Sequence, residues 1–401
     1  MNPDSGTAPA PPPILTRQMM LLLVVTTSGL ASFFLLFPVV PLYVADGEAG
    51  TVGAGVATGV MMLATVLTEL VVPRLVARHG YRTAMALAVL LLGLPAVPLV
   101  FTSWLPLVLL VCVARGAGLG ILVVAATALA AELSPPQRRA EGLGVYGVAA
   151  AIPPILCLPA GVWLVEYAGY WPVFLAGAGF GVLALGGVVS LPNARGASER
   201  QVGVLRGLGD GGFARPVIIF TAVTIAAGIT ITFLPLAVPE RFGYVAAVAL
   251  LAQSLAVPVA RWSAGWLGDR YGSARLLIPG VVAVGIGTAG LAWVEQSAVM
   301  IVATMALFGV GLGLAQNVTL ALMVERSPRS GYGRVAAQWN LAYDGGMGIG
   351  AAGFGVLCAQ VGYPVGFVVT AGVVLAALVP AWLDVRRPAG TRDPEAVKAA
   401  V

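Results

Sequence analysis

Residues 105–131 read LPLVLLVCVARGAGLGILVVAATALAA, an apolar run that contains one charged residue, Arg115. A transmembrane helix needs about 20 mainly apolar residues to cross the hydrocarbon core of a bilayer. The strands of a transmembrane barrel would instead give alternating stretches of about 10 residues. This run therefore predicts a membrane-spanning helix, and similar runs fill most of the chain.

The composition of the whole chain indicates the same class of protein. Of 401 residues, 59% are hydrophobic and 10% are charged, and the mean hydropathy is +0.95. Soluble domains contain about 45–50% apolar and about 25% charged residues. So few charges could not cover this apolar surface in water, which excludes a soluble enzyme, a nucleic-acid-binding protein and a disordered chain. The sequence predicts an all-α polytopic membrane protein whose surroundings are a lipid bilayer.

Glycine, proline and charged residues divide the chain into twelve predicted spans. A polar, proline-rich tail at 1–17 is expected to be disordered and cytoplasmic. A central cytoplasmic loop at 191–215 separates an N-terminal six-helix bundle, 18–190, from a C-terminal one, 216–384, and a cytoplasmic tail follows at 385–401. The predicted spans are 19–44, 51–72, 83–101, 105–131, 142–165, 171–190, 216–238, 243–264, 276–293, 298–323, 336–359 and 364–383.

The basic residues orient these spans. With the N-terminus in the cytoplasm, nineteen of the 22 basic residues fall at inner positions, whereas Arg241 lies outside and Arg115 and Arg261 lie within spans. Cytoplasmic loops of membrane proteins are enriched in Lys and Arg. We therefore expect a multi-pass protein of the inner or plasma membrane with both termini in the cytoplasm. The net charge of +5 records this orientation and does not indicate a nucleic-acid partner.

The two halves of the chain repeat each other at an offset of 192–193 residues. Three pairs of segments match: RGAGLG at 115–120 with FGVGLG at 308–313, ELSP at 132–135 with ERSP at 325–328, and LVARHG at 75–80 with LGDRYG at 267–272. Each pair occupies the same place in its half. Two similarly oriented six-span halves predict a transporter with its binding site near the bilayer midplane.

Residues 265–275, GWLGDRYGSAR, resemble the G-x-L-x-D-R-x-G-x-x-R loop of the major facilitator superfamily. Arg115 with Gly118 and Gly120 is similar to the fourth-helix motif of its proton-coupled exporters, and PVVP at 38–41 resembles the end of their first helix. The resemblance spans the chain. It implies twelve spans, a rocker-switch mechanism, no cofactor, and a cavity lined by helices 1, 4, 7 and 10.

The sequence departs from the family pattern in two places. Ala77 replaces the aspartate of the first-half loop, and IPP at 152–154 stands where antiporters usually have a Gly-Pro pair. The second departure weakens the inference from family to export.

Two ionisable residues inside spans are the candidates for proton coupling. Arg115 lies about ten residues, or roughly 15 Å, into its span, where an arginine costs about 2.5–3.5 kcal/mol. It is expected either to act as a cavity cation or to be a structural arginine bonded to helix carbonyls. Desolvation favours the protonated form of Asp344 and a nearby arginine favours its ionised form. A carboxylate balanced between the two could carry a proton, although local hydrogen bonds could also account for it.

Several neutral residues are candidates for a substrate cavity. Gln316, Asn317 and Asn340 could line the cavity or hydrogen-bond between helices. Phe33 and Phe37 could form an apolar wall for the substrate, or face lipid, or pack within the bundle.

The family loop and its surroundings predict a cytoplasmic gate. By resemblance, Asp269 accepts hydrogen bonds at the start of the fifth span in a latch that must break for inward opening. Because Ala77 replaces the first-half aspartate, the latch is expected to rest on the second half, with Arg78 and Glu132 as the remainder of the other. The predicted gate residues are Gly265, Asp269, Arg270, Gly272, Arg275, Arg78, Glu132 and Glu325.

The predicted function is secondary active export of a small organic compound in exchange for protons, by a monomer. No Gly-Lys pair of a P-loop occurs in the sequence, so ATP hydrolysis is not expected to drive it. Cys112, Cys157 and Cys358 lie in apolar runs and indicate neither a disulfide nor a metal site. The protein is not expected to be an enzyme or to need a metal or cofactor. The alternatives are a proton symporter that imports a small nutrient, and a membrane sensor that transports nothing.

Overall fold

The computed structural model describes residues 13–195, 211–327 and 331–386, without the side chains of residues 211, 212 and 269. Within these ranges the regular structure is entirely helical, which confirms the predicted all-α class. The α-helices are α1 (Arg17–Leu36), α2 (Val39–Ala45), α3 (Gly50–Glu69), α4 (Val72–His79), α5 (Tyr81–Gly93), α6 (Leu105–Leu133), α7 (Arg139–Ala168), α8 (Tyr170–Val188), α9 (Gly211–Ala237), α10 (Val245–Tyr271), α11 (Leu277–Gly290), α12 (Ala298–Glu325), α13 (Tyr332–Ala376) and α14 (Leu378–Val385).

Eleven helical segments in the described ranges are long and apolar enough to cross a membrane. The last of them, Tyr332–Val385, holds two spans, because Gly362 interrupts α13 with a φ of +77°. Only glycine adopts this conformation without strain, so the chain can reverse direction there. The structure therefore contains the twelve spans that the sequence predicts. The short helix α4 lies in a stretch for which no helix was predicted.

By its internal contacts the chain forms two compact units. Unit 1 comprises Met1–Val39 and Leu63–Glu199, and unit 2 comprises Val40–Met62 and Arg200–Val401. The segment Val40–Met62 therefore packs with the second half of the chain, although the predicted bundle boundaries include it in the first. Those boundaries remain a prediction.

Unit 1 is held together by close helix contacts at small residues. A Cβ atom added at Gly93, at the end of α5, would lie 2.8 Å from the Cα atom of Gly181 in α8. Lipid tails are as apolar as the helices, so no hydrophobic force drives helices together in a membrane. Close packing at small residues supplies the stability instead. The 3-10 turn Leu94–Val100 follows directly, so the third span changes its backbone hydrogen bonding at this contact.

Unit 2 uses the same device where α3 meets α13. A Cβ atom added at Gly55 would lie 2.5 Å from the carbonyl oxygen of Ala351 and 3.2 Å from the Cα atom of Gly355. One turn along α3, the Thr58 hydroxyl lies 3.1 Å from the Thr232 hydroxyl of α9. These contacts explain why the first half of α3 belongs to unit 2.

Candidate functional site

Arg115 is the most deeply buried charged side chain in unit 1, with 1% of its surface exposed. Its guanidinium donates hydrogen bonds to the carbonyl oxygens of Leu92, of Ser32 (2.8 Å) and of Phe33 (3.4 Å). Leu92 lies three residues before Pro95, and proline has no N–H to donate to a preceding carbonyl. The guanidinium of Arg115 and the hydroxyl of Ser32 both donate to this carbonyl oxygen.

These contacts join the first, third and fourth spans through backbone atoms. Such a set of partners fits the structural alternative for Arg115, and the role of Arg115 in proton coupling stays a prediction. Phe33 and Phe37 are each 1% exposed, and their ring centroids lie 5.0 Å apart. Their burial fits a packing role better than a wall facing a substrate.

Unit 2 places a cation near the predicted proton carrier. Asp344 is half-buried in α13, and the neighbouring Tyr343 interacts electrostatically both with Asp344 and with Arg261 of α10. The side-chain amide of Asn317, in α12, donates to the carbonyl oxygen of Arg261 at 3.1 Å. Sequence reasoning did not connect Arg261 with Asp344. The available signal was that Arg261 is one of two basic residues inside predicted spans.

Three aromatic rings, those of Phe220, Trp339 and Tyr343, pack together in unit 2. The ring centroids of Phe220 and Trp339 lie 4.6 Å apart at an interplanar angle of 21°, and those of Trp339 and Tyr343 lie 5.8 Å apart at 11°. The indole Nε1 of Trp339 donates to the Thr319 hydroxyl at 3.3 Å. Phe220 is fully buried, whereas Trp339 and Tyr343 are half-buried.

The predicted cavity residues of the second half differ in their surroundings. Gln316 is 5% exposed, and its Oε1 atom has no hydrogen-bond partner in the described part of the chain. Asn340 is half-buried in α13. Together with Asn317, these residues supply unit 2 with amide groups on α12 and α13. No cluster of three His, Cys, Asp or Glu residues able to hold a metal occurs among the described residues.

The predicted gate glutamates form repeat-related contacts within their own units. The Tyr81 hydroxyl donates to Glu132 at 2.6 Å in unit 1, and the Ser273 hydroxyl donates to Glu325 at 3.2 Å in unit 2. The expected pairing of Arg78 with Glu132 is absent among the described ion pairs, and the carboxylate accepts from the Tyr81 hydroxyl instead.

The loop that follows α10 contains the remaining gate candidates. Gly272 ends α10 with a φ of +87°, a conformation that favours glycine. Gly265 lies 4.0 Å, measured from an added Cβ atom, from the amide nitrogen of Asn317. Arg275 is exposed, and Arg270 packs over two aromatic rings, those of Trp266 and Tyr271. The side chain of Asp269 lies outside the described residues, so its proposed latch stays a prediction.

A buried charge cluster in unit 2 was not predicted from the sequence. The side chain of Asp384, in α14, is fully buried and lies 3.4 Å from Arg215 and 3.0 Å from Arg326. Arg215 lies at the start of the seventh span, Arg326 just after the end of the tenth, and Asp384 at the end of the twelfth. The sequence counted both arginines as topology marks, and nothing in the local pattern indicated that one acid joins them.

Comparisons with known proteins agree with this fold. The family model described as Major Facilitator Superfamily matches residues 21–344 and 217–400. The chain is 24% identical over 384 residues to a "multi-drug resistance efflux pump PmrA homolog" of Lactococcus lactis subsp. lactis (strain IL1403), covering 89% of this chain and 92% of that one.

Two solved structures are similar to this chain in fold. A bacterial homolog of the human lysosomal transporter Spinster, in an inward-facing and unoccupied conformation, has a TM-score of 0.78 at 14% identity, covering 94% of this chain and 98% of that chain. The xylose transporter XylE from E. coli, in an inward open conformation, has a TM-score of 0.74 at 16% identity, covering 93% and 98%. The chain belongs to the major facilitator superfamily of membrane transporters.

Proposed function

We propose that this transporter exports a small organic compound in exchange for protons, by rocker-switch alternating access. It acts as a monomer in the cell membrane with both termini in the cytoplasm, and it needs no cofactor. The export direction is supported by the relative named as an efflux pump, which covers most of this chain. The membrane potential supplies about 2.3 kcal/mol per charge per 100 mV, which is enough to drive a solute against a gradient.

The observation that carries the proposal is the grouping of Asp344, Tyr343 and Arg261 in unit 2. A carboxylate inside a spanning segment is costly and marks an ion or substrate pathway. A cation near a carboxylate stabilises its ionised form, whereas removal from water stabilises the protonated form. A change in water access during the transport cycle can therefore load and unload a proton at this carboxylate.

In the proposed cycle, Asp344 takes up a proton when it is open to the outside, where the substrate leaves. It releases the proton when it is open to the cytoplasm, where the next substrate binds. Asn317 holds the backbone of α10 at Arg261 and so positions the arginine for this exchange. Arg115 keeps the spans of unit 1 in register through its carbonyl contacts.

The test is transport by the purified protein in proteoliposomes under an imposed pH gradient. A panel of small aromatic and aliphatic compounds is placed on one side, and a pH-sensitive dye inside the vesicles reports proton movement. Proton antiport moves a compound against the proton flux, whereas a compound that moves with the proton would establish the symporter alternative. Complete absence of movement for every compound would favour a sensor.

Asp344→Asn should abolish gradient-driven transport and spare exchange of substrate between the two sides. The matched control is Glu48→Gln, which neutralises an exposed acid in the loop before α3 and should transport like the wild type. Full gradient-driven transport by Asp344→Asn would remove this carboxylate from the mechanism.

A further inference from the structure

We propose that the half-buried rings of Trp339 and Tyr343 form a binding subsite for a planar, uncharged aromatic part of the substrate. The inference rests on the proposed function for the identity of its ligand as a transported compound. Binding at these rings can nevertheless be measured without transport in either direction.

The Trp339 ring is held in place before any ligand arrives. Its Nε1 atom donates to Thr319 in α12, and its face packs on Phe220 in α9 at 4.6 Å and 21°. Phe220 is fully buried and backs the indole from within the unit. A ring fixed by two neighbouring helices loses little freedom when a ligand stacks on it, which favours binding.

Both rings keep accessible surface. Trp339 and Tyr343 are half-buried, and their planes lie within 11° of each other, one turn apart on the same face of α13. Aromatic surfaces of this kind bind a flat ring by offset stacking or by edge-to-face contact. An aliphatic ligand of equal size lacks the quadrupole that these arrangements use.

A buried amide on α12, the helix whose Thr319 anchors the Trp339 ring, adds a requirement for a hydrogen-bond donor. Gln316 lies one turn before Thr319 on the same face of α12, and its buried Oε1 atom has no partner among the described residues. A buried acceptor without a donor is costly. A ligand O–H or N–H group that reaches this oxygen would remove that cost.

The charges next to the rings favour a neutral ligand. Tyr343 interacts with one anion, Asp344, and one cation, Arg261. Their formal charges cancel, so a neutral ligand leaves the site balanced, whereas a charged ligand would add an uncompensated charge to it.

The experiment measures ligand binding to the full chain in lipid nanodiscs by equilibrium dialysis at neutral pH, with empty nanodiscs as the correction for partition into lipid. Four probes of similar size are compared: 2-naphthol, its saturated analogue decahydro-2-naphthol, the anion 2-naphthoate and the cation 2-naphthylmethylammonium. We expect 2-naphthol to bind about two- to twelvefold more tightly than decahydro-2-naphthol, the range that corresponds to one aromatic stacking contact. It should also bind more tightly than either charged probe. Equal binding of the saturated analogue, or tighter binding of a charged probe, would overturn the proposal.

Variants place the binding at these rings. Trp339→Leu should weaken 2-naphthol binding by a factor similar to that between 2-naphthol and its saturated analogue. Trp339→Phe should retain most of the binding. Gln316→Leu should weaken the binding of 2-naphthol more than the binding of naphthalene. Trp262→Leu is the control, because Trp262 is 80% exposed on α10. If Trp339→Leu folds, as judged by thermal unfolding, and binds 2-naphthol like the wild type, the subsite is refuted. If it does not fold, the binding of the probes to the wild type and to Gln316→Leu decides whether the subsite exists. A negative binding result leaves proton exchange at Asp344 standing, and a negative transport result leaves the binding result standing.

Discussion

Replacing Arg115 by methionine separates the structural from the coupling role of this residue. The substitution keeps a long side chain and removes hydrogen bonds to the carbonyl oxygens of Leu92 and Ser32. A hydrogen bond to a charged group contributes about 1.5–3 kcal/mol, so the loss of two amounts to about 3–6 kcal/mol. Removing an arginine from the centre of a span removes its insertion cost, which stabilises the protein by about 2.5–3.5 kcal/mol. The difference between these two ranges runs from about −0.5 to about +3.5 kcal/mol, and its midpoint is a destabilisation of about 1.5 kcal/mol.

Unfolding by sodium dodecyl sulfate in mixed micelles measures the stability, and the proteoliposome assay measures the protons moved per substrate. We expect Arg115→Met and Arg115→Lys both to be less stable than the wild type, because an ammonium group cannot reproduce the forked geometry of the guanidinium. The folded fraction should keep the wild-type proton ratio. Ser32→Ala is the control, since it removes only the hydroxyl that also donates to Leu92, at 3.2 Å. The reasoning fails if Arg115→Met is as stable as the wild type but uncoupled, and Arg115→Lys restores coupling.

Three further outcomes are expected. Asp384→Asn should lower the stability of the protein by an amount near the lower end of about 3–5 kcal/mol, because it leaves two partly exposed arginines without their shared carboxylate; unchanged unfolding would contradict this. Gly55→Leu should separate α3 from the backbone of Ala351 and raise hydrogen exchange in α3, since no side chain fits at this contact; unchanged exchange would show that the helices repack. Arg261→Leu should reduce gradient-driven transport more than Arg261→Lys does, because only the lysine keeps a cation near Asp344; equal rates in the two variants would count against the role of that charge.

The spans were predictable because the hydrocarbon core imposes one length and one composition on every helix that crosses it. The contacts of Arg115 were not predictable, since its partners are backbone carbonyls, which every residue carries. The electrostatic interaction between Arg261 of α10 and Tyr343 of α13 was not predictable either, because the sequence contains no signal for which side chains of two distant helices lie near one another. The ion pairs of Asp384 were not predictable for the same reason, because the two arginines lie on two other spans.

The internal repeat shows why matching residues were an incomplete guide to the gate region. Glu132 and Glu325 match in the repeat, yet the residues that donate to them, Tyr81 and Ser273, are dissimilar. Both donors follow a glycine with a positive φ that ends the preceding helix, so the backbone delivers a hydroxyl to the same place in each half. The repeat therefore preserves a hydroxyl-to-carboxylate contact rather than a residue type.

The two contacts differ in length. An O–H group that donates to a carboxylate prefers an oxygen–oxygen distance of about 2.5–2.7 Å. The contact in unit 1, at 2.6 Å, lies in this range, whereas the contact in unit 2, at 3.2 Å, does not. Because the longer contact is the weaker one, the start of the ninth span is held less firmly to the end of the tenth than the third span is held to the fourth.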